Sequence, residues 1–380
     1  MARVRPAAKP AIPVARALLA RSRSQRLAAG GPAASKPAEV LDLVAGLQAQ
    51  LLPAAGLGLR ARLPGIRAVD IERALAEERS IVRSWLMRGT LHLVAAPDLR
   101  WMLRLLGPGF ARGDAGRQAQ LGLDEATRRA GVAALRRILA GSGPLTRTEL
   151  LAALRRRRIW FDPKSQAVIH LIRLAALQGV LCLGPSRPDG EATYVLLDDW
   201  LPAEPPIERD TALAELARRY FRAYGPANVA DLAAWSGLSI SEARAGTAGA
   251  RADLCEVTVA GEPALMPTAR LPLPARERGP NVRLLPAFDT YLLGYRRRDL
   301  AVSAVLQRRL QRGGGWIHPA VLVDGRAVAA WQLGHAGSEK QVLLDTAEPL
   351  ARAVRTALRA EVADLGRFLE RPVAAARGLI

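Results

Sequence analysis

The chain has 380 residues, half of them hydrophobic, so it can bury a large core in roughly two to four domains, and disorder throughout is excluded. Lysine and arginine number 55 against 35 acids, and the formal charge of +20 favours a polyanionic partner such as nucleic acid. A GC-rich genome explains why only Lys9, Lys36, Lys164 and Lys340 are lysines, but not a cationic excess of this size.

In chain order, residues 1–10 read as a flexible N-terminus, broken by proline and arginine before any long apolar core forms, so neither a secretory signal nor a membrane span is expected. The later apolar stretch 41–59 contains Asp42, two glutamines and Pro53, which rules out a span there; the expected location is cytoplasmic and nucleoid-associated. Residues 11–125 read as a first winged helix with connecting helices: helical patterns over 12–30, 36–48 and 69–78, then a hairpin over 80–96 turning at Arg88-Gly89. Residues 126–201 carry the clearest version of the pattern, three helices followed by strands at 180–183 and 193–197 around a turn-rich wing at 184–190. There Thr146 caps the second helix, Asp162-Pro163 opens the third and Gly179 closes it.

After a proline-rich linker at 202–206 the order recurs over 207–275, with a first helix at 210–224, Ser239 or Ser241 capping a third, and a hairpin from 254–259 and 263–266. Over 281–380 strand-like runs alternate with Gly and Pro turns, and an amphipathic helix at 348–371 closes a small, barrel-like β domain. The expected fold class is α+β, mainly α: three tandem winged-helix units plus the C-terminal β domain with its closing helix. The repeat is architectural, without sequence identity between units.

Such units offer several phosphate contacts, through basic third helices and through wings that reach a groove. The candidate DNA-binding residues are Arg88 at the first hairpin turn, the dense run Arg155, Arg156, Arg157 and Arg158, and Arg187 in the second wing. Trp160 and Phe161 beside that run either stack on bases or seal a core. His92, on a strand between Leu91 and Leu93, either faces DNA or is a satisfied structural histidine. Asp289 is expected to pair with Arg296 or Arg298.

Cys182 and Cys255 suit buried free thiols, and His170, His318 and His335 have no metal-like spacing with them, so no metal is expected. Phosphate-loop, Rossmann and zinc-deaminase patterns are absent from the sequence, and four scattered lysines offer little for Schiff-base lyase chemistry.

Gln48-Ala49-Gln50 ends an apolar stretch. Residues two apart share a face only in an extended segment, so if both amides act together the helix must stop near Leu47; otherwise they decorate a helix end.

GLQAQ at 46–50, RSWLMRGTLHLV at 83–94, LLDDW at 196–200, and LLPAFDTYLLGYR at 284–296 followed by VLVDGRAVAAW at 321–331 together resemble the AlkZ/YcaQ family of winged-helix DNA glycosylases, over about residues 11 to 370. The resemblance implies three winged-helix units and a C-terminal β domain around a basic channel. It implies hydrolysis of the N-glycosidic bond of N7-alkylated purines, including bulky adducts and interstrand crosslinks. The family's catalytic motif is glutamine, an aliphatic residue, then glutamine in AlkZ-like members, with aspartate last in YcaQ-like ones; Gln48-Ala49-Gln50 falls on the AlkZ form, which implies that Gln48 and Gln50 are catalytic. The expected protein is thus a monomeric DNA glycosylase without cofactor or metal, acting on double-stranded DNA with an alkylated purine. The competing expectation is a non-catalytic winged-helix DNA-binding protein, a regulator or architectural factor, with an RNA-binding protein behind it.

Overall fold

The computed structural model describes residues 9–271, 273, 279–311, 313, 315–336, 339–346 and 348–375, so the flexible segment expected over 1–10 lies, for residues 1–8, outside the described residues. β1 (Ala11–Ile12) and α1 (Val14–Ser24) precede α2 (Pro37–Val44), β2 (Leu47–Gln48), α3 (Leu52–Arg60), α4 (Ala68–Ala76) and the hairpin β3 (Ile81–Trp85) and β4 (Leu91–Ala95). α5 (Ala96–Gly113) and α6 (Ala115–Gln120) lead into α7 (Glu125–Leu139), β5 (Leu145–Thr146), α8 (Arg147–Arg156), α9 (Ala167–Leu177), β6 (Leu181–Leu183), β7 (Thr193–Leu196) and the short α10 (Leu197–Trp200). α11 (Arg209–Tyr224), α12 (Val229–Ser236) and α13 (Ile240–Gly249) carry the hairpin β8 (Leu254–Val259) and β9 (Glu262–Pro267). The C-terminal part contains β10 (Val282–Leu285), α14 (Thr290–Leu293), α15 (Ala304–Leu310), β11 (Ala320–Val323), β12 (Arg326–Ala336), β13 (Glu339–Thr346), α16 (Arg352–Phe368) and β14 (Val373–Ala375). The chain is mixed α+β and mainly helical, the class its patterning predicts.

Strand pairing decides which helices form each winged unit. β5 pairs with β7, and Ala227, between α11 and α12, bridges to Leu265 on β9. β2 pairs with β4 in the same manner, so α2, α3 and α4 are the three helices of the first unit. This corrects the sequence expectation, which took the helix over 12–30, here α1, as the first of the unit. Pro53 sits at the second position of α3, where a missing N–H costs nothing. Helix α1 instead docks Leu18 against Leu285, Phe288 and Tyr291, while β1 runs parallel to β8.

The first two units share one sheet in the order β2-β4-β3-β6-β7-β5, joined where Arg83 faces Leu183. The C-terminal strands β10-β11-β12-β13-β14 make a half-barrel covered on one side by Leu358, Val362 and Leu365 of α16. Aromatic residues lock these parts together. The Tyr220 hydroxyl donates to the Gly294 carbonyl (2.7 Å), that of Tyr295 to the Tyr224 carbonyl (2.9 Å), and that of Tyr224 to the Val44 carbonyl (3.2 Å) at the end of α2.

Asp289 does not pair with Arg296 or Arg298. It caps α14 by accepting from the Tyr291 N–H (2.9 Å), which turns its carboxylate into the core, where Arg62 donates to both oxygens at 2.8 Å. Both side chains are fully buried. Arg298 donates to the Leu292 carbonyl, and the Arg296 backbone N–H donates to Asp231 on α12.

The third helices are not the basic ones. No residue of α9 is exposed, and its Arg173 is held by Asp114 and by the Gly89 carbonyl; α4 carries Asp70, Glu72 and Arg73, and α13 only Arg244 as a cation.

Candidate active site

Helix α2 stops at Val44 because Ala45 adopts the left-handed conformation (φ 55°) and Gly46 follows at φ 95°, while the Gly46 N–H closes back on the Leu41 carbonyl (2.9 Å). A Cβ at Gly46 would stand 2.9 Å from a Val94 methyl, so only glycine fits that turn. The helix therefore ends before Leu47, and the chain enters β2 with Leu47 opposite Leu93 and Gln48 opposite His92. The Ala49 N–H still donates to the Leu91 carbonyl (2.7 Å), which keeps the segment extended past Gln48. Alternation sends Leu47 and Ala49 into the first unit's core and puts Gln48 on the opposite side, with Gln50 at the bend that follows. Gln48 is 8% exposed, whereas Gln50 is open to solvent just before α3, whose N-cap residue Leu51 supplies no side-chain cap.

Two arginines hold this segment. Arg83 on β3 donates through Nε to the Ala49 carbonyl (2.9 Å) and through Nη2 to the Gln50 carbonyl (3.2 Å), clamping the backbone between the two amides. Arg88 occupies the left-handed tip of the β3–β4 hairpin (φ 56°), with Nη2 donating to Gln48 Oε1 (2.7 Å) and Nη1 to the Trp235 carbonyl of α12 (2.6 Å). Both ends of the guanidinium face protein acceptors, so Arg88, expected as a DNA contact, is engaged within the protein in this structure. Burial brings its pKa down to about 10, so it stays charged at neutral pH.

His92 and Ser84 complete a row with Gln48 across β2, β4 and β3. Both are fully buried. His92 Nδ1 donates to the Thr90 carbonyl (3.0 Å), while its Nε2 and the Ser84 hydroxyl have no partner among the described residues. Burial first, and the nearby Arg88 charge second, push the His92 pKa down to about 3. His92 is thus enclosed as a structural histidine would be, yet its unpartnered Nε2 leaves it short of the fully satisfied one.

An acid-stability consequence follows from the sign of that shift. Between its ordinary 6.5 and about 3 the unfolded chain binds a proton at His92 that the folded chain refuses. This contribution to stability is complete above about pH 6.5 and falls by about 1.4 kcal/mol per pH unit as the pH drops below it. Urea midpoints are expected to decline from pH 6.5 to 5, and less steeply in His92→Asn.

The remaining candidates lie on the second unit. Arg156, Arg157 and Arg158 are exposed at the end of α8, and Arg155 is half-buried, 6.0 Å from the Trp160 ring. Trp160 is 71% exposed, while Phe161 packs on the unit's core. Arg187 is exposed in the wing but lies 3.3 Å from Glu149. Nothing in the structure brings these residues to the Gln48 cluster. Arg83, Ser84 and Trp235 were missed; a cation at a strand position beside apolar Val82 was the one available signal, for Arg83.

Among the described residues no group of three His, Cys, Asp or Glu could hold a metal, and no helix is long and apolar enough to cross a membrane. Both cysteines are free, and burial raises the Cys182 thiol to about 12.

The family model described as "DNA glycosylase AlkZ-like" matches residues 41–368. The interstrand DNA cross-link repair glycosylase of Streptomyces sahachiroi is 31% identical over 312 residues, covering 78% of this chain and 81% of that protein. Among solved structures, the Streptomyces sahachiroi DNA glycosylase AlkZ has a similar fold, with a TM-score of 0.78 at 24% identity over 96% of this chain and 100% of that one.

Proposed function

The chain belongs to the AlkZ-like DNA glycosylase family, and from that premise we propose that it hydrolyses the N-glycosidic bond of N7-alkylated purines in double-stranded DNA, with Gln48 and Gln50 placing the water. One observation carries the reading: two neutral amides stand at the end of strand β2 and just beyond it, and among the described residues no carboxylate bonds to Gln48, Gln50, Arg83 or Arg88. Such a site has no strong acid to protonate a neutral purine. An N7-alkylated purine needs none, because it already carries the positive charge. The C1′–O bond forms to water as the C1′–N9 bond breaks; the bonding pair neutralises the purine, and the water's proton passes to solvent, since glutamine orients a proton but cannot keep it.

The product is free base and an abasic site, because no lysine belongs to the Gln48 cluster and strand cleavage through a Schiff base is not supplied. The substrate range extends to bulky adducts and interstrand crosslinks. The similarity to a crosslink-repair glycosylase supports this, as does the open position of Gln50, which suits attack in a groove better than full extrusion of the base. The regulator alternative is disfavoured by the third helices, which a sequence-reading winged helix presents to the major groove: α9 has no exposed residue, and the exposed faces of α4 and α13 carry one arginine each, Arg73 and Arg244.

Duplexes carrying one small, one bulky or one crosslinking N7-guanine adduct, incubated with the protein and scored for alkali-labile scission, test this reading. Scission above the spontaneous rate is expected for at least one adduct; none for any would return the chain to the binding-protein reading.

We also propose that Arg156, Arg157 and Arg158, with Arg155 and Arg187 beside them, contact phosphate. Replacing Arg156, Arg157 and Arg158 together by alanine is expected to weaken binding to all duplex sequences alike. The slope of log K against log salt should become shallower by about 0.9 per lost contact; an unchanged slope would place the DNA elsewhere.

A further inference from the structure

We infer that Arg88 is a positioning residue that fixes which end of the Gln48 amide meets the water, making Gln48 the N–H donor and Gln50 the carbonyl acceptor; this rests on the water-placing role proposed above. A guanidinium has only donors, so the Gln48 atom 2.7 Å from Arg88 Nη2 must be the carbonyl oxygen. That oxygen is therefore occupied. The NH2 group of Gln48 has no partner among the described residues and is the end left for the water. Gln50 is exposed, with no side-chain partner among the described residues, so its carbonyl is available to accept.

The clamp is built from two units. Arg88 Nη1 is tied to the Trp235 carbonyl, and α12 closes onto the hairpin tip through Gly237, where a Cβ would meet Arg88 Cα at 3.2 Å and the Phe110 ring at 2.8 Å. Arg88 has no carboxylate partner among the described residues, so its charge acts on the Gln48 amide undiminished and strengthens the N–H as a donor. A water that accepts from Gln48 and donates to Gln50 keeps one lone pair for C1′. Reversing the Gln48 amide would offer that water two acceptors, which would hold both of its protons and leave neither lone pair engaged by a donor.

The test is a double-substitution cycle read by single-turnover base release at saturating protein, with DNA affinity measured separately. Arg88→Ala is expected to slow release roughly tenfold or more, with little change in affinity. It should add nothing further in a Gln48→Ala background, and Arg88→Lys should recover part of the rate. Equal losses in both backgrounds, or a loss confined to affinity, would overturn the assignment. Gln48→Glu, which keeps the acceptor but has no N–H, is expected to slow release; activity at or above that of the unsubstituted protein would overturn it as well.

A readout independent of catalysis separates this assignment from the reading it rests on. The carboxylate introduced by Gln48→Glu should pair with Arg88 and raise the melting temperature, and the rise should vanish when Arg88→Ala is added. If the unsubstituted protein released no base, the water-placing role would fall while this contact could still be read; if the rise were absent, the contact itself would be wrong.

Discussion

Gln50→Ala is expected to lose roughly 100-fold or more in single-turnover base release, the scale set by misplacing one reacting group, while binding duplex DNA as before. The two effects separate because Gln50 is exposed and its side chain has no partner within the described residues, so its removal leaves no buried group unsatisfied. Its backbone carbonyl remains in the Arg83 clamp, and the segment keeps its course. The check is a pair of measurements on one preparation, release under saturating protein and affinity by titration. Unchanged turnover would remove Gln50 from the reaction.

Asp289→Ala is expected to destabilise the fold by about 3–5 kcal/mol, because it strands the buried Arg62 charge. Arg62 would keep only Gln25 Oε1 (3.0 Å) and the Gly58 carbonyl (3.0 Å), neither of which offsets a full charge. This pair joins the end of α3 to the start of the C-terminal part, so its loss loosens the support behind Gln50 as well. Denaturant midpoints for Asp289→Ala, Arg62→Ala and the paired replacement Arg62→Met with Asp289→Leu test the point. The paired change should cost far less than either single one, since apolar residues leave no charge unpaired; three equal losses would mean that the pair is not the source.

The hairpins and the helices of the second and third units were legible because their periodicity, caps and turns agree. Thr146 and Ser239 both cap through side chains, as their spacing to Glu149 and Glu242 predicts. The first unit was harder. Gly46 is a helix C-terminal signal, but Ala45 in the left-handed conformation is not one, and the helical pattern continued through Leu47. β2 has two residues, too short to show a period, and its place between helices emerges only from its pairing with β4.

At the candidate site, alternation places Gln48, His92 and Val94 on one face but cannot say what covers that face. The third unit covers it, through Trp235, Tyr224 and Tyr220, so His92 is enclosed and Arg88 turns inward. The Arg62–Asp289 pair spans 227 residues, beyond anything local spacing can specify.

The most direct test of the central claim is to incubate the unsubstituted protein with a duplex containing a single N7-alkylguanine and quantify free base and abasic site together. The expected result is equal amounts of both, above the spontaneous rate, with the loss concentrated in Gln48→Ala and Gln50→Ala. No release above that rate from small, bulky or crosslinked N7 adducts, or full release by the double Gln48→Ala, Gln50→Ala protein, would contradict it.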